Sequence, residues 1–84
     1  MIKLTLIGTG HLASALAKLY RCYYVNNAFS LSIMSHSTHK VGRSLSDTPI
    51  EEFDVYKLQA SDIVVLAIPA AQTVAWAMEY AGFL

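Results

Sequence analysis

The segment Gly8-Thr9-Gly10-His11-Leu12-Ala13 leaves this chain few architectures. It follows a short apolar run, Ile2–Ile7, and opens a stretch rich in Ala, Leu and Lys, all good helix formers. A strand that turns directly into a helix needs small residues at set places. Gly8 allows the tight turn out of the strand, Gly10 has no Cβ and opens the backbone to a phosphate, and Ala13 lets the helix lie close on the sheet. Free amides at the helix start point at such an anion, and the helix dipole favours its charge. The pattern G-x-G-x-x-A is weak alone. Its place after a first strand, at the head of a helix and before a second strand supplies the context that a dinucleotide pyrophosphate site requires. The competing reading is a tight strand–helix turn with no ligand.

Along the expected helix His11–Tyr23, Leu12, Ala15, Leu16 and Leu19 fall at the spacing of a buried stripe. Asn26-Asn27 marks a turn. Residues 29–34 alternate with period two, as a half-buried strand does. Ser35-His36-Ser37-Thr38 is a polar loop or cap, and a short helix is expected over residues 39–45. Ser46-Asp47-Thr48-Pro49 signals a turn, and a short third strand is expected over residues 53–56. The run Ile63-Val64-Val65-Leu66-Ala67-Ile68 is apolar without alternation, the mark of a strand covered on both faces in a parallel sheet. Pro69 lacks an amide proton and stops it; residues 70–83 read as a closing helix with Gly82 near its end. Strands alternating with helices imply crossovers and a parallel sheet. The expected fold is α/β, a partial Rossmann-type parallel sheet (β-α-β-α-β-β-α) flanked by helices.

Eighty-four residues allow one domain. The chain is 55% apolar and 14% charged, against about 25% charged in an average soluble domain. Apolar burial contributes on the order of 125 kcal/mol, and ordering the chain costs on the order of 126 kcal/mol. A balance near zero makes such a chain marginal alone. It leads to the expectation of a homo-oligomer, joined through Ile63 to Ile68 or through the helix face of Trp76 and Tyr80, or of a fragment whose interior is written here. A net charge of zero offers no basic stripe for phosphate backbones, so no nucleic-acid partner is expected. No apolar run approaches a membrane span. The apolar start is cut too soon by Gly8 for a secretory h-region, so a cytoplasmic location is expected. Cys22 is the only cysteine, which excludes an intramolecular disulfide and suggests a small buried hydrophobe. His11, His36, His39 and Cys22 fit no familiar metal spacing, and none is expected. Glu51, Glu52 and Asp54 read as wet surface beside a turn.

The end of the second strand decides between cofactors. A site preferring NAD places a carboxylate there for the ribose hydroxyls. This chain has Ser35-His36-Ser37-Thr38-His39-Lys40 with Arg43 behind. Hydroxyls and cations suit a 2′-phosphate, so NADP(H) is expected over NAD. Ser35, Ser37, Thr38 and Lys40 are the candidate phosphate ligands, and His36 is placed to stack on the adenine or donate to the phosphate. The bland alternative is a solvated loop. Ala67-Ile68-Pro69 ends the buried strand, where ligands of such sheets lie, and the small residues there leave room for the nicotinamide ribose.

Ile7-Gly8-Thr9-Gly10-His11-Leu12-Ala13, Met34-Ser35-His36-Ser37 and the stretch from Ala60 through Asp62 to Pro69 together resemble one pattern. It is that of the N-terminal domain of pyrroline-5-carboxylate reductases and deazaflavin-dependent NADP oxidoreductases, a superfamily that also holds hydroxyisobutyrate-type dehydrogenases. The resemblance covers nearly the whole chain and is specific to the superfamily, not to one member. It implies an NADP-binding domain serving hydride transfer to or from a small substrate. Gly8, Thr9, Gly10, His11, Leu12 and Ala13 would hold the pyrophosphate. Ser35, His36 and Ser37 would face the adenosine 2′-phosphate, and Ala67 and Pro69 would border the nicotinamide. Many relatives carry Arg where His36 stands. Relatives also continue into further strands and a helical domain for substrate and dimer contacts, so residues 1–84 read as the N-terminal, dinucleotide-binding part of an oxidoreductase, inactive alone. The residues name no catalytic acid or base. The alternative is a self-standing, non-catalytic nucleotide-binding oligomeric module. A methyltransferase ranks last, because Leu6-Ile7 stand where an acidic residue usually precedes the glycines.

Overall fold

A computed structural model describes residues 2–23 and 29–83; the expected Asn26-Asn27 turn lies outside them. Five strands form one mostly parallel sheet: β1 (Ile2–Ile7), β2 (Phe29–Ser35), β3 (Ser44–Leu45), β4 (Thr48–Glu52) and β5 (Ile63–Leu66). Their order is β3-β4-β2-β1-β5. β1 pairs in parallel with both β2 and β5, and β2 with β4; only β3 is antiparallel. The helices are α1 (His11–Tyr23), α2 (Val55–Gln59) and α3 (Ala70–Tyr80). This is the α/β, partial Rossmann-type sheet flanked by helices that the sequence leads one to expect.

Side chains alternate across the sheet and so build two apolar layers. Leu6, Ile33, Ile50 and Ala67 face α1 and close on Ala13 and Ala17. Ile7 and Met34 face the other way, against Leu58 of α2 and Trp76 of α3. The inner face of α1 is therefore Ala13 and Ala17, both fully buried, while Ala15 is exposed. The leucine stripe is displaced from the expected one: Leu16 is half-buried, while Leu12 and Leu19 lie exposed on the flanks. Small side chains allow the close helix–sheet approach, and larger ones at those places would hold the helix off. Cys22 also lies exposed, contrary to expectation.

The second layer is apolar only at the carboxyl end of the sheet. Toward the amino end, Thr5 of β1 hydrogen-bonds Ser61, whose hydroxyl donates to the Lys57 carbonyl at 2.8 Å. Asp62 accepts from the Lys3 amide at 2.8 Å. These bonds tie the end of α2 to β1, so the polar residues within the strand have structural partners.

The middle of the chain departs from expectation. Residues 39–45 do not form a helix; a 3-10 turn, Thr38–Lys40, leads into β3. The third parallel strand is Thr48–Glu52, earlier than residues 53–56, which the Asp54 cap turns into α2. The Asp54 carboxylate accepts from the Tyr56 amide at 2.9 Å, and Glu51 pairs with Lys57. That pairing raises the Lys57 ammonium above its ordinary range. Two of the three acidic residues thus shape α2 and are not merely wet surface. Between β3 and β4, Ser46 and Asp47 both have positive φ, 47° and 66°, the backbone of a two-residue hairpin turn. Left-handed backbone is costlier for Ser than for Asp. Ser46→Gly is expected to raise stability by about 0.5 kcal/mol, or a few degrees in Tm, read by thermal unfolding.

β5 is an edge strand, and its residues are exposed or half-buried, short of the cover on both faces expected for this run; α3 is followed by a 3-10 turn, Ala81–Phe83, that contains Gly82. The Trp76 face of α3 is different. Trp76 is buried against this chain's own residues and Tyr80 is half-buried, while Val74 and Met78, on the other side of α3, are exposed. No helix among the described residues is long and apolar enough to cross a membrane.

Candidate functional site

The chain leaves β1 on the α1 face, forms β2 on one side, and returns by α2 to place β5 on the other. Strand order therefore reverses at β1, and such a reversal opens a crevice beyond the carboxyl ends of the strands. Gly8 stands at its floor with φ +126°. A Cβ built there would lie 2.3 Å from the Ala67 carbonyl oxygen. The close approach continues the ladder past the strand ends: Ala67 N–H donates to Ile7 O at 2.8 Å and Gly8 N–H to Met34 O at 3.1 Å. Gly8 is thus required by packing as well as by its turn. Gly10 is the opposite case, with nothing within 4 Å of a Cβ built on it. Its bare backbone faces open space.

That space is a cleft of about 300 Å³. Gly8, Thr9 and Gly10 form one wall, Ser35, His36, Ser37 and Lys40 a second, and Ala67 and Pro69 a third. The three stretches singled out in the sequence meet at one place. His11, Leu12, Ala13 and Thr38 do not line it. Ala13 is instead buried beneath α1. The first intrahelical bond runs from Ser14 N–H to Gly10 O at 2.9 Å, so the amides of His11, Leu12 and Ala13 belong to the turn that has no intrahelical acceptor. These three residues can serve an anion by backbone alone. The Ser35 hydroxyl accepts from the Ser37 amide at 3.0 Å, which shapes the loop after β2 and leaves its own proton to donate.

His36 is held more firmly than a loop residue. Its ring stacks on Phe53, centroids 4.1 Å apart, and lies 5.7 Å from Tyr80. Its Nε2 accepts a hydrogen bond from the Trp76 indole N–H at 3.1 Å. A second cavity, about 270 Å³, lies beyond it among Ala75, Trp76, Glu79 and Tyr80; His36, Ile68 and Gln72 belong to both. Partial burial, with Glu79 beside it, raises the Tyr80 hydroxyl above its ordinary range, so it stays a neutral donor.

Ile7, Ile68 and Gln72 also line the first cleft and went unnoticed in the sequence. A signal for Gln72 existed: it is the third residue of a helix that follows a parallel strand, and such helix starts face the crevice. The Phe53 and Trp76 contacts with His36 had none, because they span 17 and 40 positions of chain.

No family model and no curated protein matches this chain. Solved structures do. RSP, a Rex-family repressor, superposes with TM-score 0.73 at 20% identity, over 99% of this chain and 41% of that one. RSP in complex with β-NAD+ and operator DNA gives 0.71 at 22%, over 100% and 38%. RSP in complex with β-NADH gives 0.65 at 25%, over 98% and 42%. The chain therefore has the fold of part of these repressors and spans about two fifths of their length.

Two expectations change with these neighbours. The pyrroline-5-carboxylate reductase resemblance gains no support from them, since they are repressors. The exclusion of nucleic acid does not stand, because one neighbour was solved on operator DNA. The charge argument failed for a physical reason. Net charge describes only the 84 residues counted, and a neutral module can belong to a protein whose DNA-contacting surface is elsewhere.

Proposed function

We propose that this chain is a nicotinamide-dinucleotide-binding module. One observation carries the reading: a glycine turn with Gly8 locked against Ala67 and Gly10 left bare stands at a helix start, where strand order reverses. The amides from Gly10 through Ala13 would take the pyrophosphate, with Gly8 and Thr9 shaping the turn. Ser35, Ser37 and Lys40 would face the adenosine ribose. Ala67 and Pro69 would border the nicotinamide side. The neighbouring cavity, apolar with Gln72 and Glu79 at its margin, suits a planar base. RSP, bound to β-NAD+ in one structure and β-NADH in another, supports the cofactor class. It gives no support to NADP over NAD; that preference rests on Ser35, Ser37 and Lys40, with no carboxylate on the cleft wall.

A regulatory module ranks ahead of hydride transfer, because the supporting neighbours are repressors. In that setting residues 1–84 are the dinucleotide-binding part of a longer, cytoplasmic protein. Hydride transfer remains the second reading, favoured by the reductase-like motifs and by the small residues Ala67 and Pro69 on the cleft wall.

Calorimetric titration with NADH and NADPH tests the module. Saturable binding is expected, and none at millimolar cofactor overturns the reading. Gly10→Ala is expected to weaken binding about tenfold, or ~1.4 kcal/mol, with Tm unchanged, because its Cβ meets only open space. Oxidation of NADH by the chain with small carbonyl or imine substrates would move the second reading to first.

A further inference from the structure

We infer that Trp76 is a positioning residue that sets how the cleft treats a 2′-phosphate, acting through His36; this rests on the dinucleotide reading above. Indole has a hydrogen to donate and nothing to accept with. The Trp76 bond at 3.1 Å therefore makes His36 Nε2 the acceptor, and only a neutral imidazole has an acceptor nitrogen. The ring is then the Nδ1–H form. It is braced by Phe53 at 4.1 Å and by Tyr80 at 5.7 Å.

The consequence falls on specificity. His36 stands at the end of β2, where nucleotide sites distinguish a free ribose hydroxyl from its phosphate. With Nε2 taken by the indole, it has only Nδ1 left to offer the cleft. Lys40 is then the only cation on the cleft wall among the described residues. The other ionisable groups near His36 are Glu79 and Tyr80, both in the neighbouring cavity on α3. The indole thus occupies a ring nitrogen that could otherwise turn to a 2′-phosphate, a loss that falls on NADPH and not on NADH. The aromatic cluster acts as a brace on selectivity, in addition to being core.

The test has two arms. The first is nitrogen-detected NMR of the wild-type chain without ligand. It is expected to show the His36 Nδ1–H tautomer and a slowly exchanging Trp76 indole N–H. An Nε2–H tautomer or a doubly protonated ring at neutral pH overturns the inference, whether or not any nucleotide binds. The second is calorimetry with NADH and NADPH on Trp76→Phe, which keeps an aromatic ring and removes the N–H. The NADPH-to-NADH affinity ratio is expected to rise about 3- to 10-fold, and Trp76→Phe with His36→Gln is expected to return it to the wild-type value. Equal changes for both nucleotides would reduce Trp76 to a packing role and overturn the inference. Failure of wild type to bind either nucleotide, with the Nδ1–H tautomer present, sinks the dinucleotide reading instead, and the specificity inference with it. If Trp76→Phe does not fold, His36→Leu, which has no acceptor, decides in the wild-type background: loss of the indole N–H protection supports the bond, and its retention refutes it.

Discussion

Gly8→Ala is expected to lower stability by about 3 kcal/mol or more. Two costs combine at this position. The backbone has φ +126°, which an L-residue adopts at a cost on the order of 1–2 kcal/mol. The new Cβ would also stand 2.3 Å from the Ala67 carbonyl oxygen and 2.9 Å from its carbon. Both are backbone atoms, so no side chain can swing away; β5 would have to separate from β1. A chain of this size is held by only about 4–12 kcal/mol in total. The midpoint of thermal unfolding should fall on the order of 15 °C, read by circular dichroism. An unchanged midpoint would show that the strands do not meet there. The contrast with Gly10→Ala separates two meanings of one motif: the first glycine is required by the fold, the second by whatever enters the cleft.

The same contrast explains what the sequence disclosed. Local chemistry was readable. Glycines after an apolar run mark the end of β1, and the unalternating run from Ile63 marks a parallel strand, though an edge strand only half-covered. Their joint consequence, a cleft at the carboxyl ends, followed from topology. The stretch from His39 to Asp54 was readable only in its turn at Ser46-Asp47, not in the strands beside it or the helix after it. There, a hairpin depends on two left-handed residues that are not glycine, Ser46 and Asp47, and a helix of five residues depends on a cap and one leucine. Neither feature has a periodic pattern. The face of α1 was misplaced because alanine carries little hydrophobic weight in a pattern but the most value where a helix must lie close to a sheet. His36 lines the cleft with the other stretches singled out in the sequence; its bond to Trp76 has no sequence signature. The exclusion of DNA was an error of scope, since the net charge of these 84 residues says nothing of a whole protein the length of the neighbours.

Leu58→Ala is expected to cost about 2–5 kcal/mol. Helix α2 has only five residues, far below the roughly 12–15 at which an isolated helix becomes even marginal in water. Its place is held by the Asp54 cap, by the Lys57–Glu51 pair and by Leu58, which is fully buried. An exposed ion pair is worth about 0–1 kcal/mol, and a cap about 1 kcal/mol, so Leu58 is the dominant anchor. Its neighbours are Ile7, Met34 and Trp76, the layer directly under the cleft. Truncation leaves a cavity beside the indole, so the effect should appear in the site as well as in the melting curve. Trp76 is the chain's only tryptophan, and its emission reports the loss without a label. A red shift and faster quenching in Leu58→Ala are expected before global unfolding. Tyr56→Ala, two residues away on the exposed face at 78% accessibility, should stay within about 0.5 kcal/mol of wild type with unaltered emission. Equal effects of the two substitutions would mean that α2 is not anchored through Leu58. The expected difference would show that the apolar layer under the cleft, and not the loop above it, fixes where His36 stands.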